Sequence, residues 1–219
     1  MPRLLFEKTG QSVWISHLDL MRVFQRAFKR AGLPLTHTQG FNPRPSVSIA
    51  LPLSVGVESV CELLDFDLDG ADVSCEEIRS RLNTVLIPGV QVLDVYSAGR
   101  KLKDLSRLHC TVTLEYDNGI PENGKALVTE LFNRASLIVP KKGKNGVVDQ
   151  DIIPMIHSLE IQAVGDRELV LDCVIACQNP ALNPMQLVSA INLHLDVCKP
   201  DFAKCRRIEI FDAQQEVFR

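Results

Sequence analysis

Basic side chains recur at helical spacing near the start of this 219-residue chain. They occupy the i, i+4 and i+7 or i+8 positions that share one face of an α-helix: Arg22, Arg26, and Lys29 or Arg30. Asp19 is the acidic residue close to them, so the alternating signs of a merely solvated helix face are absent. Guanidinium and ammonium groups in this pattern favour an anion-binding role, with nucleic-acid phosphate as the preferred anion. An ordinary solvent-exposed face is the alternative interpretation.

A stiff loop follows this predicted helix. Residues 36–45 read THTQGFNPRP, and each proline fixes its own φ and restricts the residue before it. A rigid loop that presents Phe41, Asn42 and Arg44 suits stacking on a base and contact with a phosphate. The loop contains neither G-x4-G-K-[ST] nor G-x-G-x-x-G, so it is not a known phosphate-binding motif. A turn that only connects a helix to a strand is the alternative.

Histidine offers a possible general base. His17 falls in the first turn of the predicted helix and His37 in the stiff loop, and either imidazole could accept a proton in RNA cleavage because it titrates near neutral pH. A hydrogen-bonded structural histidine is the alternative for both. No HxxxH, HExxH or G-x-S-x-G motif is present. The acids of the LDFDLDG run alternate with apolar residues, which predicts a solvated strand face.

The cysteine spacing predicts no bound cofactor. No CxxC pair occurs among the seven cysteines, and Pro180 stands where a C-x3-C-x2-C run from Cys173 and Cys177 would need its third thiol. We therefore expect reduced, mostly buried cysteines, with no metal and no iron–sulfur cluster on this chain.

The net charge of −3 conceals a strong local asymmetry. Residues 1–50 hold seven Lys and Arg against two acidic residues, a net +5, whereas residues 51–98 carry −7 and residues 99–219 carry −1. The total argues against a uniformly basic nucleic-acid-binding protein, and the basic segment permits a localised anion site. The chain contains no apolar run of about 20 residues and no signal peptide, so we expect a cytoplasmic protein.

Two segments show the same predicted order of elements. Capping boxes at Ser16 and Ser74 begin the helices of the first segment, and Leu18, Met21 and Phe24 lie on the apolar face of the first helix. The predicted order is a strand over residues 4–9, a helix ended by Gly32, strands over 47–57 and 64–69, a helix ended by Pro88, and a strand over 90–96.

The second segment repeats this order less regularly. Its predicted elements are a strand over residues 109–116, a helix near 123–135, a short run over 137–140, a polar KKGKNG loop expected to be mobile, a hairpin over 158–176, a helix begun at Asn183-Pro184, and a strand over 206–211. We therefore predict an α+β fold of two tandem ferredoxin-like (βαββαβ) halves, with domains over 1–98 and 99–219. Residues 137–157 fit the second copy poorly.

Three stretches carry a resemblance to a known family. Residues 16–22 (SHLDLMR), 39–45 (QGFNPRP) and 51–59 (LPLSVGVES) resemble the radical SAM-linked family, a bacterial domain found as a separate chain or fused behind a radical SAM protein. The resemblance implies a radical SAM partner, which would have to supply the cluster-binding cysteines. At the level of the layout alone, the chain is also similar to CRISPR-associated repeat-processing endoribonucleases.

The resemblance and the basic residues together lead to one main hypothesis. We expect a non-catalytic partner of a radical SAM enzyme that binds RNA or presents a tRNA or rRNA substrate through Arg22, Arg26, Lys29, Arg30, Phe41, Asn42 and Arg44. One alternative is a metal-independent endoribonuclease using His17 or His37. Another is a protein-docking module whose basic face meets an acidic face of the radical SAM chain. No membrane partner is expected.

Overall fold

Antiparallel strands and α-helices together form an α+β fold. The computed structural model describes residues 2–70, 73–143 and 146–219. These residues divide into two units, the first extending to Asp104 and including Phe218–Arg219, the second spanning Leu105–Val217.

The first unit places two helices among the strands of one antiparallel sheet. Its elements in chain order are β1 (Pro2–Lys8), α1 (His17–Arg30), β2 (Val47–Ile49), β3 (Val57–Phe66), α2 (Cys75–Asn83) and β4 (Val90–Ser97). The strand order is β4-β1-β3-β2, and each neighbouring pair is antiparallel. Leu4 pairs with Leu64 on one side and Val95 on the other, and all three side chains are buried.

Both predicted helix starts in this unit are confirmed. The Ser16 side chain accepts a hydrogen bond from the Asp19 amide, and the Ser74 side chain accepts one from the Glu77 amide, both at 3.2 Å. Each bond satisfies an amide that the first helical turn leaves without a partner.

The strand predicted over residues 47–57 is wrong in its extent. Strand β2 ends at Ile49, and Gly56 adopts a φ of 80° while its amide donates to the Val13 carbonyl at 2.8 Å. Leu51 and Leu53 lie in an irregular segment after β2, and both side chains are buried. The alternation of apolar residues therefore reflects burial and not a β-strand. Strand β3 begins at Val57, earlier than predicted, and its residues 61–64 are buried on both faces, which hides the period of two.

The interpretation of the LDFDLDG acids as a solvated face is wrong for Asp65. Its carboxylate oxygens accept hydrogen bonds from Arg3 Nε at 2.6 Å and Arg3 Nη2 at 3.1 Å, and Arg3 is 1% exposed. Asp67 and Asp69 are exposed, as the alternation predicts. The alternation could not reveal the basic partner of Asp65 because Arg3 lies on a different strand.

The strands of the second unit follow the same order as those of the first, and the second unit contains one additional hairpin. Its elements are β5 (Arg107–Glu115), α3 (Gly124–Phe132), β6 (Ile138–Gly143), β7 (Gly146–Asp151), β8 (Ile156–Val164), β9 (Glu168–Ala176), α4 (Met185–His194) and β10 (Phe202–Phe211). The main sheet runs β10-β5-β9-β8, all antiparallel, and the predicted hairpin over residues 158–176 is confirmed as β8 and β9.

Strands β6 and β7 account for the poorly fitting residues of the second segment. They pair with each other as a separate two-stranded sheet, so the KKGKNG segment lies largely in strands where a loop was predicted. Lys144 and Asn145 of that segment lie outside the described residues. The hairpin interrupts the strand–helix order between α3 and β8.

Candidate functional site

Helix α1 has one buried face and one basic face. The buried residues are Leu20, Phe24, Ala27 and Phe28. The face is centred on Phe24, whose ring centroid lies 4.7 Å from that of Phe6 in β1. This orientation corrects the predicted apolar face, because Leu18 is 68% exposed and Met21 is only half-buried. Leu18 and Met21 therefore lie at the edge of the buried face, where their side chains are at least partly accessible to solvent.

The loop over residues 36–46 folds back on itself beside α1. The Thr38 amide donates to the Arg44 carbonyl at 2.9 Å, the Arg44 amide donates to Thr38 Oγ1 at 3.0 Å, and the Ser46 amide donates to the Thr36 carbonyl at 2.8 Å. The base of the loop is held by Thr36, whose hydroxyl donates to Asp67 Oδ2 at 3.1 Å. These hydrogen bonds join the two arms of the loop and fix the position of the Arg44 backbone, from which its side chain extends.

Two adjoining cavities lie between α1 and this loop. The first, of about 620 Å³, is lined by Leu18, Met21, Arg22, Gln25, Thr38, Arg44, Pro45 and Val47. The second, of about 420 Å³, is lined by Gln25, Lys29, Gly32, Leu33, Pro34, Leu35, His37 and Pro45. Gln25 and Pro45 line both, and we call the pair of cavities the α1–loop groove. Each volume falls within the range of small-ligand sites.

The groove brings together several residues that the sequence singles out. Arg22 and Arg44 line the first cavity, and Lys29 lines the second. Arg26 is exposed on α1 but lines neither cavity, and Arg30 donates from Nη2 to the Val85 carbonyl at 2.5 Å. Of the basic residues of α1, only some therefore line the groove.

Phe41 and Asn42 lie at the exposed tip of the loop, beyond the hydrogen bonds that join its two arms. The Phe41 side chain has a relative exposure of 112%, which means that no described part of the chain packs against it. A large aromatic ring held in solvent contributes nothing to the core and is accessible to a ligand.

The charge of the groove is only partly balanced. Arg22 Nη1 lies 2.7 Å from Asp19 Oδ1, and both side chains are more than half exposed. The hydrogen bond from Ser16 and then that from Arg22 lower the pKa of Asp19 below its ordinary value of 3.8. Among the described residues, the side chains of Lys29 and Arg44 have no hydrogen bond or ion pair. The groove therefore carries net positive charge, available to an anion.

The two candidate bases have different surroundings. His37 is exposed and lines the second cavity with Lys29. His17 lines neither cavity, and its Nδ1 is buried with no hydrogen-bond partner in the described part of the chain. Within those residues, no group of three His, Cys, Asp or Glu side chains is placed to hold a metal ion.

Two polar residues of the groove are not among those predicted from the sequence. Gln25 lies three positions after Arg22 and four before Lys29, so the spacing that identified the basic face also placed Gln25 on it. The sequence does not distinguish Thr38 from the other polar residues of the loop, because its hydrogen bonds with Arg44 form only when the loop folds back on itself.

The family of the chain follows from its sequence over most of its length. The family described as "Uncharacterized protein conserved in bacteria (DUF2344)" matches residues 2–184. The chain belongs to this family. The match to DUF2344 includes all of the α1–loop groove. No curated protein is significantly similar to the chain.

A solved structure shares the fold of this DUF2344 chain at low identity. A chain of a Cbf5-Nop10-Gar1 complex matches with a TM-score of 0.52 and 10% identity, covering 95% of this chain and 48% of that one. A chain of the archaeal box H/ACA sRNP Nop10-Cbf5 complex gives a TM-score of 0.49 at 11% identity, covering 94% and 46%. This chain thus spans about half the length of those chains. In its described part, no helix has the length and apolar character needed to cross a bilayer.

Proposed function

We propose that the α1–loop groove binds RNA. The observation that carries the proposal is that Arg22 and Arg44, from a helix and a separate loop, line one cavity. Arginine forms two parallel hydrogen bonds to a phosphate, and a pair of them around one cavity suits a bent phosphate backbone. Lys29 in the adjoining cavity and exposed Arg26 on the same helix extend the positive surface. Arg30 turns to the Val85 carbonyl, and Asn42 lies at the exposed loop tip.

The exposed Phe41 ring at the loop tip favours RNA over a small inorganic anion as the ligand of the groove. Phe41 is fully exposed on the loop that also carries Arg44, and an exposed aromatic ring combined with phosphate-binding cations is the usual arrangement for stacking on a base. A site for an inorganic anion would need no such ring. In this proposal the cations hold the backbone and Phe41 holds a base.

The test is an affinity measurement over a range of salt concentrations. Bulk tRNA and rRNA are titrated with the full chain, and the logarithm of the association constant is followed against that of the salt concentration. Arg22→Ala/Arg44→Ala should weaken binding by about tenfold for each arginine, about 1.4 kcal/mol per lost contact. The salt slope should fall by about 1 for each lost phosphate contact.

A matched control removes the same charge from another surface. Lys125→Ala/Arg134→Ala changes two exposed cations of the second unit and should leave both the affinity and the slope unchanged. Equal loss in the two double variants would mean that only net charge matters. Wild-type protein that shows no salt-sensitive binding to either RNA would refute the proposal.

The proposal includes a radical SAM protein as the enzyme that modifies the bound RNA. What supports this is the resemblance in residues 16–22, 39–45 and 51–59, together with the missing cluster-binding cysteines. A radical SAM chain that copurifies with the protein after ribonuclease treatment would support the pairing. Loss of that copurification in Arg26→Glu, with RNA binding intact, would favour a docking role for the basic face.

A second candidate function is metal-independent RNA cleavage, favoured by the position of His37 in a cavity beside Lys29. A neutral imidazole there would take the proton of a ribose 2′-hydroxyl as its oxygen attacks the adjacent phosphorus. A 2′,3′-cyclic phosphate would form, and the 5′-oxygen would leave as a hydroxyl by taking a proton from water. Labelled RNA incubated in EDTA with wild type and His37→Ala decides the matter. Intact RNA in both reactions would eliminate the nuclease.

The proposed architecture is a pair of ferredoxin-like halves. The supporting observation is that β4-β1-β3-β2 and β10-β5-β9-β8 follow the same order, with the β6–β7 hairpin as an addition to the second. Expression of residues 1–98 and 99–219 as separate chains would test the predicted domains, because each half should then show a cooperative unfolding transition.

A further inference from the structure

The groove is too small for paired bases to be read inside it. Its cavities measure about 620 and 420 Å³, each suited to a ligand of the size of one nucleotide. In an A-form duplex the bases face inward and the major groove is too deep and narrow for side chains to read. A base can enter a cavity of this size only when it is unpaired and turned out of its stack.

Gln25 is the polar side chain common to both cavities. Pro45, which also lines both, has no hydrogen-bond donor. Gln25 is half-buried, and its amide makes no hydrogen bond to any described residue. A half-buried amide left unbonded at the junction of two cavities is available to a ligand, and it offers a donor and an acceptor in one plane.

We infer that the groove takes a single-stranded RNA segment, one nucleotide in each cavity, and that Gln25 reads the edge of a base there. The inference rests on the proposed RNA binding. Arg22 and Arg44 contact the phosphate at the first cavity and Lys29 contacts the next. Leu18 and Met21 supply the apolar wall against which the first base lies. Gln25 is uncharged, so it contributes to the choice of base and not to the salt dependence.

The experiment compares labelled RNA probes of about eight nucleotides, within the range of single-strand sites. Oligo(A), oligo(U) and oligo(C) are titrated with the full chain, and an oligo(A)–oligo(U) duplex is titrated beside them. We expect the best single strand to bind about tenfold more tightly than the duplex. In Gln25→Ala the ratio between the best and worst homopolymer should shrink by about fivefold, with the salt slope unchanged.

Gln91→Ala, an exposed glutamine on β4, is the matched control and should leave the ratios unchanged. Gln25→Met keeps the length of the side chain and replaces Gln25→Ala if that variant unfolds. Equal binding of duplex and single strands, or unchanged ratios in both Gln25 variants, overturns the inference while the proposed RNA binding stands. Absence of salt-sensitive binding to every probe overturns both.

Discussion

Arg22 of α1 and Arg44 of the 36–46 loop line the same cavity. Each is fixed by a different local bond, Arg22 by its ion pair with Asp19 and the Arg44 backbone by its exchange of hydrogen bonds with Thr38. The two arginines therefore reach one cavity from two separate elements. An anion between them would be reached from two elements whose backbones the fold has already positioned, which lowers the entropy cost of binding.

Asp19 competes with RNA for Arg22, so its removal should strengthen binding. Asp19→Asn abolishes the ion pair and one negative charge near the groove, while an amide of the same shape remains. We expect the affinity for tRNA to rise by about two- to fivefold, because an exposed ion pair is weak. The measurement is fluorescence anisotropy at low salt. Asp196→Asn, which affects an exposed ion pair in the second unit, should change nothing; weaker binding by Asp19→Asn would count against a phosphate on Arg22.

The same carboxylate makes the stability of the first unit depend on pH. The pKa of Asp19 is lowered in the folded chain, first by Ser16 and then by Arg22, so its contribution is present above the unfolded value of 3.8 and is lost as the pH falls through the folded value. Wild type should therefore exceed Asp19→Asn in stability at pH 7, and the two should converge below pH 3.8. Urea unfolding at several pH values measures this. A constant difference down to the lowest pH would show that the charge is not responsible.

Much of the fold was predictable because local signals agree with it. The capping boxes at Ser16 and Ser74 and the alternation in β4, β5 and β9 depend on neighbouring residues, and the structure places helices and strands there. The errors occur where burial depends on distant residues. Strand β3 is buried on both faces, so its pattern does not alternate, and Leu51 and Leu53 are buried from an irregular segment.

The site was predictable in part for the same reason. Helical spacing identified Arg22 and Lys29, and the two prolines identified the stiff loop. Spacing could not indicate that Arg44 returns beside Arg22 while Arg30 turns away to the Val85 carbonyl, because these contacts depend on the folding of the loop and the packing of the helix.

The Arg3–Asp65 pair predicts a large cost for a conservative substitution. Asp65→Asn leaves the buried Arg3 guanidinium without its carboxylate partner, and breaking such a pair costs about 3 kcal/mol. The free energy of unfolding from urea titration should fall by that amount. Asp69→Asn, at an exposed position of the same segment, should change it by about 0.5 kcal/mol or less. Similar small changes in both variants would mean that the buried pair does not stabilise the unit.

Gly89 is required by the backbone between α2 and β4. Its φ is +83°, and a Cβ at this position would lie 2.3 Å from the Thr9 carbonyl oxygen. The two segments also contact each other through their backbones, because the Thr9 amide donates to the Gly89 carbonyl at 2.7 Å. Gly89→Ala should destabilise the protein by about 2 kcal/mol or more, measured by thermal unfolding. Gly99→Ala has open space and should be neutral; equal effects would contradict the clash.

Phe41 should matter for binding and not for stability. Its ring is fully exposed, so Phe41→Ala removes no packing and should leave the unfolding temperature unchanged. Loss of stacking on one base should weaken RNA binding by about tenfold, from roughly 1–3 kcal/mol per base, and the salt slope should stay the same because no phosphate contact is lost. Phe41→Trp should retain the affinity, and a 2-aminopurine base in the probe should lose fluorescence on binding wild type but not Phe41→Ala. Val148→Ala, an exposed apolar residue of β7, is the control. If Phe41→Ala binds RNA as tightly as wild type, the loop tip does not stack on a base and the cations of the groove act alone.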